Sequence, residues 1–220
     1  MKKQSGFTLI ELAIVLVIIG LLLGGVLKGQ ELITQAKIKN VIADFSGTTV
    51  AYYGYQDRYK AIPGDDLNAT SRWGATIPSG NGNGSLAGNY NDNVNAPAAT
   101  DETSLFWLHL RQSGFVGGSG GQDPTNAFSG MLGVQAGGDA LRTAVATAGS
   151  GFTGLIICSA NIADKAAVAI DTQLDDGVPN TGTVRAVTQT TSNPVLVPGS
   201  AADTTYTETG GKQYLVCKTL

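Results

Sequence analysis

GFTLIELAIVLVIIGLLLGGVL, residues 6–27, decides how this chain is organised. From Phe7 to Leu27 every residue is apolar or glycine except Thr8 and one carboxylate, Glu11. As a helix rising ~1.5 Å per residue, about 21 residues reach about 31 Å, close to the ~30 Å hydrocarbon core of a bilayer. Lys2 and Lys3 precede the stretch, which fixes that end in the cytoplasm and sends the remainder outward. A secretory signal peptide also shows two lysines and an apolar run, but it ends in a small-residue cleavage site. Here Leu23-Gly24-Gly25-Val26-Leu27-Lys28 runs straight into a charged helical pattern. A plain membrane anchor leaves Glu11 unexplained, because a carboxylate in a spanning helix costs a few kcal/mol, roughly, and normally has a partner.

The short basic leader, Gly6, Phe7, Glu11 four residues after the Phe and then an uninterrupted apolar run resemble the prepilin motif of type IV pilins and type II secretion pseudopilins. That resemblance implies cleavage between Gly6 and Phe7 by a prepilin peptidase, N-methylation of Phe7, and pairing of Glu11 with the Phe7 amine of a neighbouring subunit. The physics agrees, since a buried carboxylate needs a buried cation. Glu11 also lies in the first turn of its own helix, where the dipole favours negative charge. In the family a disulfide often pins the C-terminal segment.

At 220 residues the chain has length for a membrane stalk plus one ordinary domain. Charged residues make up only 14 %, and the 30 glycines suit a loop-rich extracellular domain better than a cytosolic enzyme. Loss of the leader moves the formal charge from −3 to −5, and residues 63–220 hold 7 basic against 13 acidic side chains. An acidic head argues against a broad nucleic-acid site. The two cysteines, Cys158 and Cys217, both fall in the exported part, and an isolated pair in an oxidising compartment is expected to form a disulfide. A closed loop of this size is worth about 4 kcal/mol by chain entropy. One histidine and no spare cysteine weigh against a His/Cys metal site.

Past Lys28 the helical pattern turns one-sided. Ile38, Val41, Phe45, Thr48, Tyr52, Tyr55 and Tyr59 recur at three- and four-residue steps until Ile62-Pro63-Gly64. The expected organisation is a leader at 1–6, a membrane or filament-core helix at 7–27, an amphipathic continuation at 28–62 and a globular head at 63–220. One helix is expected from Phe7 to Lys60, with the aromatic residues seating it on the head's sheet. Gly20, Gly24, Gly25 and Gly29 are either its weak points or places of close helix packing. Asp65 and Asp66 are expected to cap a short turn through Ser71. In the glycine/asparagine run, Ser79, Asn81, Asn83, Gly84 and Leu86 resemble a calcium loop, but neutral ligands and Tyr90 in place of the bidentate glutamate favour a surface loop. Helices are expected from Thr100 to Gly114, with Leu105, Phe106, Leu108 and Leu110 packed, and from Ser159 to Gly177. His109 has no catalytic companion at a motif spacing. Strands are expected at Met131–Gln135, Phe152–Cys158, Thr183–Thr188 and Gln213–Cys217, with an exposed tail from Gln189 to Lys212.

Asp171, Asp175 and Asp176 place three negative charges at a helix C-terminus, where like charge and dipole both disfavour them. They ask for a counter-charge, either Ca²⁺ or a cation such as Arg185, unless the cluster is simply solvated. The fold expected is α+β: a long N-terminal helix on a small antiparallel sheet of about four strands with two shorter helices. The function expected is structural rather than enzymatic, a filament subunit of the inner membrane. The resemblance implies as partners other pilin subunits, a prepilin peptidase, the inner-membrane assembly machinery and lipid, and no direct nucleic acid is expected. The expected location is the inner membrane, in a single pass with the N-terminus cytoplasmic, before assembly, and a periplasmic or cell-surface filament afterwards. The rivals are a membrane-anchored, non-filamentous binding module and a minor adhesive pilin.

Overall fold

The computed structural model describes residues 8–92, 101–144 and 146–220. The leader, the Gly6–Phe7 junction and Thr100 lie outside the described residues. The chain divides into two compact units, Met1–Lys37 and Ile38–Leu220, and each is taken by itself.

The first unit is helical from Leu9 onward, as part of α1 (Leu9–Tyr59). Its apolar side chains are open to the surroundings; Leu9 is 88 % exposed and Leu21 73 %. With a mean hydropathy of 2.8 over 18 residues, the helix is long and apolar enough to cross a membrane. It runs unbroken through Gly20, Gly24, Gly25 and Gly29, and a Cβ built on any of them meets no atom of the described residues within 4 Å beyond the helix's own backbone.

In the second unit the remainder of α1 becomes amphipathic. Ile38, Val41, Phe45, Thr48, Ala51, Tyr52 and Tyr55 are buried at the helical period the sequence shows. Lys60 takes φ 54°, and Pro63 cannot continue the helix. Two further helices, α2 (Ala69–Trp73) and α3 (Glu102–Gln112), precede the first strand. Four strands follow: β1 (Leu132–Ala136), β2 (Leu155–Ala163), β3 (Val184–Thr188) and β4 (Gln213–Thr219), with α4 (Asp164–Leu174) between β2 and β3. The sheet is antiparallel throughout, in the order β1-β2-β4-β3.

Both faces of the sheet are covered, which is why its central strands read as nearly continuous apolar runs instead of alternating ones. On one face Val134, Ile157, Tyr214 and Val216 share a cluster with Phe45 and Tyr52 of α1, Phe106 of α3 and Ile170 of α4. On the other, Ile156, Cys158, Leu215 and Cys217 meet Tyr90, Leu141, Leu196 and Ala202, all from irregular segments. The two-residue side-chain period of β2 and β4 separates these sets. Cys158 and Cys217 face each other across the β2–β4 register and are joined by a disulfide.

Three expectations change. The helix placed at Ser159 starts at Asp164, because residues 159–163 continue β2 through an irregularity between Ser159 and Ile162. Asn161 adopts φ 58° there, and its side chain exchanges hydrogen bonds with Gln189 and Ser192, so the extra residue is anchored rather than helical. The tail from Gln189 to Lys212 is not uniformly exposed: Leu196 and Ala202 are buried, and Asp203 accepts from Thr188 at the sheet's β3 edge. Finally, the helix aromatics meet helices as well as the sheet. Tyr52 stacks near Phe106, and Tyr55 lies 6.3 Å from both Trp73 and His109.

Candidate functional site

Thr8-Leu9-Ile10-Glu11 has the spacing of a capping box, in which the third residue of the helix reaches back to the residue that caps it. The structure forms it. The backbone N–H and the hydroxyl of Thr8 both donate to Oε2 of Glu11 at 2.8 Å, and the Glu11 N–H faces Thr8 Oγ1 at 3.3 Å. Glu11 is therefore not alone even in a single chain, and Thr8 is a site residue the functional reading had passed over. The signal was present in the sequence as Thr-x-x-Glu. Among the described residues both donors, from Thr8, fall on Oε2, and Oε1 receives none.

The acidic cluster is the second candidate. One oxygen each from Asp171, Asp175 and Asp176 lies within 4.8 Å of the others. Asp175 is the C-cap of α4, and the three aspartates differ in burial from fully buried to exposed. Each is engaged by donors: Asp171 by Tyr206 Oη–H at 2.7 Å and the Gly177 N–H at 3.2 Å, Asp175 by the Thr183 and Val184 N–H groups, Asp176 by the Val178 N–H and the Thr181 hydroxyl. Burial raises the Asp171 pKa above the usual carboxylate value, against the lowering effect of Tyr206 and Gly177. Hydrogen bonds from Thr181 and Val178 lower that of Asp176. The expected partner Arg185 forms no ion pair with the cluster among the described residues. Its guanidinium donates to the carbonyls of Leu141 and Ser150 and sits 4.7 Å over the Phe152 ring, acting on Asp176 only through space.

Asp65 and Asp66 do more than cap a turn. The Asp65 carboxylate accepts the N–H groups of Asn83 and Gly84, and Glu102 accepts those of Asn81 and Ala87. The glycine/asparagine loop thus turns its amide hydrogens onto two buried carboxylates, while Asn81 and Asn83 spend their side-chain oxygens on the N–H groups of Asn83 and Ser85. That is a donor-lined loop and a poor cation cage. Asp66, 1 % exposed, accepts from Tyr55 Oη–H at 2.6 Å and pairs with Arg72. His109 is fully buried; its Nδ1 accepts the Gly64 N–H at 2.9 Å and its Nε2 faces the Pro78 carbonyl at 2.8 Å. Those partners fix the neutral tautomer with the proton on Nε2 and give His109 a structural task, fastening the turn after α1 to α3. Leu108, expected in the core beside it, is only half-buried.

No curated protein matches the chain. Residues 1–27 match the family model described as the prokaryotic N-terminal methylation motif. The motif supports the resemblance to type IV pilins and pseudopilins, and the long apolar helix with a small antiparallel sheet is consistent with the type IV pilin fold.

Proposed function

We propose that the chain is a structural subunit of a type IV pilus-like or type II secretion pseudopilus filament, inserted in the inner membrane, cleaved after Gly6, N-methylated on Phe7 and polymerised. The observation that carries this reading is the exposed apolar helix that opens on the Thr8–Glu11 box inside the matched motif. Side chains such as Leu16 and Leu21, 70 % and 73 % exposed, need a cover that the described residues do not supply. Lipid covers them in the membrane-resident subunit, and copies of the same helix cover them in a filament. The open oxygen of Glu11 then pairs with the Phe7 amine of the adjacent copy. Prepilin peptidase and an inner-membrane assembly machinery are the partners this implies, and no protein-borne chemistry forms part of the proposal.

The test is N-terminal mass spectrometry of sheared surface material. The expected species begins at a methylated Phe7. An intact Met1 in membrane-bound protein, with nothing in the sheared fraction, overturns the reading in favour of an anchored module. A bulky substitution at Gly6 should abolish the processed species.

Calcium at Asp171, Asp175 and Asp176 is an accessory proposal that rests on the approach of their oxygens alone.

A further inference from the structure

We infer that Asn68 is a site of N-linked glycan attachment, with a polyprenyl-diphosphate-linked glycan as donor. The inference depends on the outward placement of the head proposed above. The sequence holds two Asn-X-Ser/Thr triplets, Asn68-Ala69-Thr70 and Asn83-Gly84-Ser85, and such a triplet marks an acceptor when it lies on the surface of an exported protein. Both asparagines are exposed, and they differ in how the folded chain uses their side chains. Asn68 is exposed at the N-cap of α2, yet its side chain makes no capping bond. Its backbone is held instead, the N–H by Asp66 Oδ1 at 2.9 Å and the carbonyl by the Ser71 hydroxyl at 2.8 Å. A substituent on Nδ2 therefore disturbs no fold contact. Beside it lies an open cleft of about 330 Å³ whose walls include Tyr59, Lys60, Leu67 and Gly82. Leu67, 64 % exposed, offers an apolar surface to the first sugar ring. Asn83, by contrast, folds its side-chain oxygen back onto the Ser85 N–H at 2.8 Å, while its own N–H is tied to Asp65.

The folded head also sets the timing. Thr70, whose hydroxyl the transferase must engage, donates that hydroxyl to the Ile77 carbonyl at 2.8 Å, and its N–H is bound to Ser79 Oγ at 2.9 Å. Transfer accordingly precedes closure of the 70–79 turn, on the chain emerging at the outer face of the inner membrane, and the folded head has only to accept the glycan afterwards, which the unused Asn68 side chain allows. In the step, Nδ2 of Asn68 attacks the anomeric carbon of the donor and an N–C bond forms. The bond from that carbon to the diphosphate oxygen breaks, polyprenyl diphosphate leaves with the electron pair, and one Nδ2 proton is released to a base of the transferase.

The test uses full-length protein purified from its own cells, read by intact mass and by the mass of the proteolytic peptide spanning Asn68. The expected result is an added glycan mass on that peptide, lost in Asn68→Gln and kept in Asn83→Gln and in Thr70→Ser, which preserves both the triplet and the hydroxyl's partners. A chain that is processed to Phe7 but unmodified at Asn68 overturns this inference and leaves the filament reading intact. Glycan found only on Asn83 overturns it equally. A chain left unprocessed overturns both.

Discussion

Glu11 can be separated into two roles by substitution, because the structure gives it one partner set within the chain and the filament proposal gives it another. Glu11→Gln keeps a carbonyl oxygen for the Thr8 N–H and hydroxyl, both 2.8 Å from Oε2, but removes the charge. The capping box survives, and the change falls on the pair with the neighbouring Phe7 amine. Leaving one member of a buried ion pair without its partner is destabilising by about 3–5 kcal/mol. At 1.4 kcal/mol per tenfold, the constant for adding a subunit should fall by roughly two to three and a half orders of magnitude. Glu11→Ala loses the same charge and also the cap, a further ~1 kcal/mol. Thr8→Val removes the hydroxyl donor and acceptor but leaves the Thr8 N–H site and the charge, so it should weaken the helix start by ~1 kcal/mol and spare assembly. The assay is filament yield after shearing, set against the processed membrane pool in the same cells. The expected order is wild type, then Thr8→Val, then Glu11→Gln with Glu11→Ala lowest and both accumulating as processed monomer. Normal filaments from Glu11→Gln with few from Glu11→Ala would show that Glu11 serves only its own helix, and the register argument would be wrong.

Three further outcomes are expected of the head. Cys158→Ser should lower its unfolding free energy by about 4 kcal/mol, the chain-entropy value for a 59-residue separation, read as denaturant midpoint with and without reductant; equal midpoints would refute it. His109 has its pKa lowered by burial and by Arg72, partly offset by the Pro78 carbonyl. The unfolded chain thus binds its proton first, and the stability His109 contributes is whole above about pH 6.5 and is lost as pH falls through the folded value. Asp123, pushed up to about 8 by burial, acts in the opposite sense, gaining stability for the fold as pH falls from about 8. The readout is therefore the difference in melting temperature between wild type and His109→Gln from pH 7 to 5, which should narrow as pH falls; a constant difference would remove the claim. If the Asp171–Asp176 cluster takes calcium with a Kd near 1 mM, about 10 mM calcium adds ~1.4 kcal/mol, or roughly 3–6 °C in a domain of this size. That gain should vanish in Asp175→Asn/Asp176→Asn, and no gain in the parent would leave the hydrogen bonds as the whole account of the cluster.

The long helix, the four strands and the disulfide were legible because each rests on a local signal: an apolar run, a period, a cysteine pair. What escaped was decided across the chain. Residues 159–163 carry Ala, Asn and Ile in a helix-compatible order, and only pairing with β4 and the polar contacts of Asn161 with Gln189 and Ser192 make them strand. The 189–212 segment is rich in Thr, Pro and Gly, so its composition reads as tail. Two of its apolar residues, Leu196 and Ala202, nevertheless join Tyr90 and Leu141 in covering the disulfide face of the sheet. Buried carboxylates were the hardest to foresee. Asp65 and Glu102 look like surface residues until the 79–87 loop supplies four N–H groups to them, and no spacing rule announces that pairing.

The N-terminal unit carries an energetic constraint of its own. Between apolar helices in a bilayer there is no hydrophobic drive, since lipid tails are as apolar as leucine. The exposed leucines and isoleucines of residues 9–27 can therefore hold the subunit in the membrane but cannot choose one alignment of two copies over another. Their side chains are nearly interchangeable along the helix, and a slip of one turn exchanges leucine for isoleucine at little change in free energy. Gly20, Gly24, Gly25 and Gly29 add room for close approach, because among the described residues nothing beyond the helix's own backbone comes within 4 Å of where their Cβ atoms would stand. Room permits contact without fixing register. The one group on this surface whose energy changes steeply with position is the Glu11 carboxylate, half satisfied by Thr8 and half open. Under the filament proposal, an amine placed against its open oxygen is worth several kcal/mol in a medium without water, whereas the same amine one turn away, about 5.4 Å, loses the hydrogen bond and most of the attraction. Specificity of assembly then resides in a single charge and affinity in the apolar helix, which is why the Glu11→Gln variant is expected to remain membrane-resident while losing the filament.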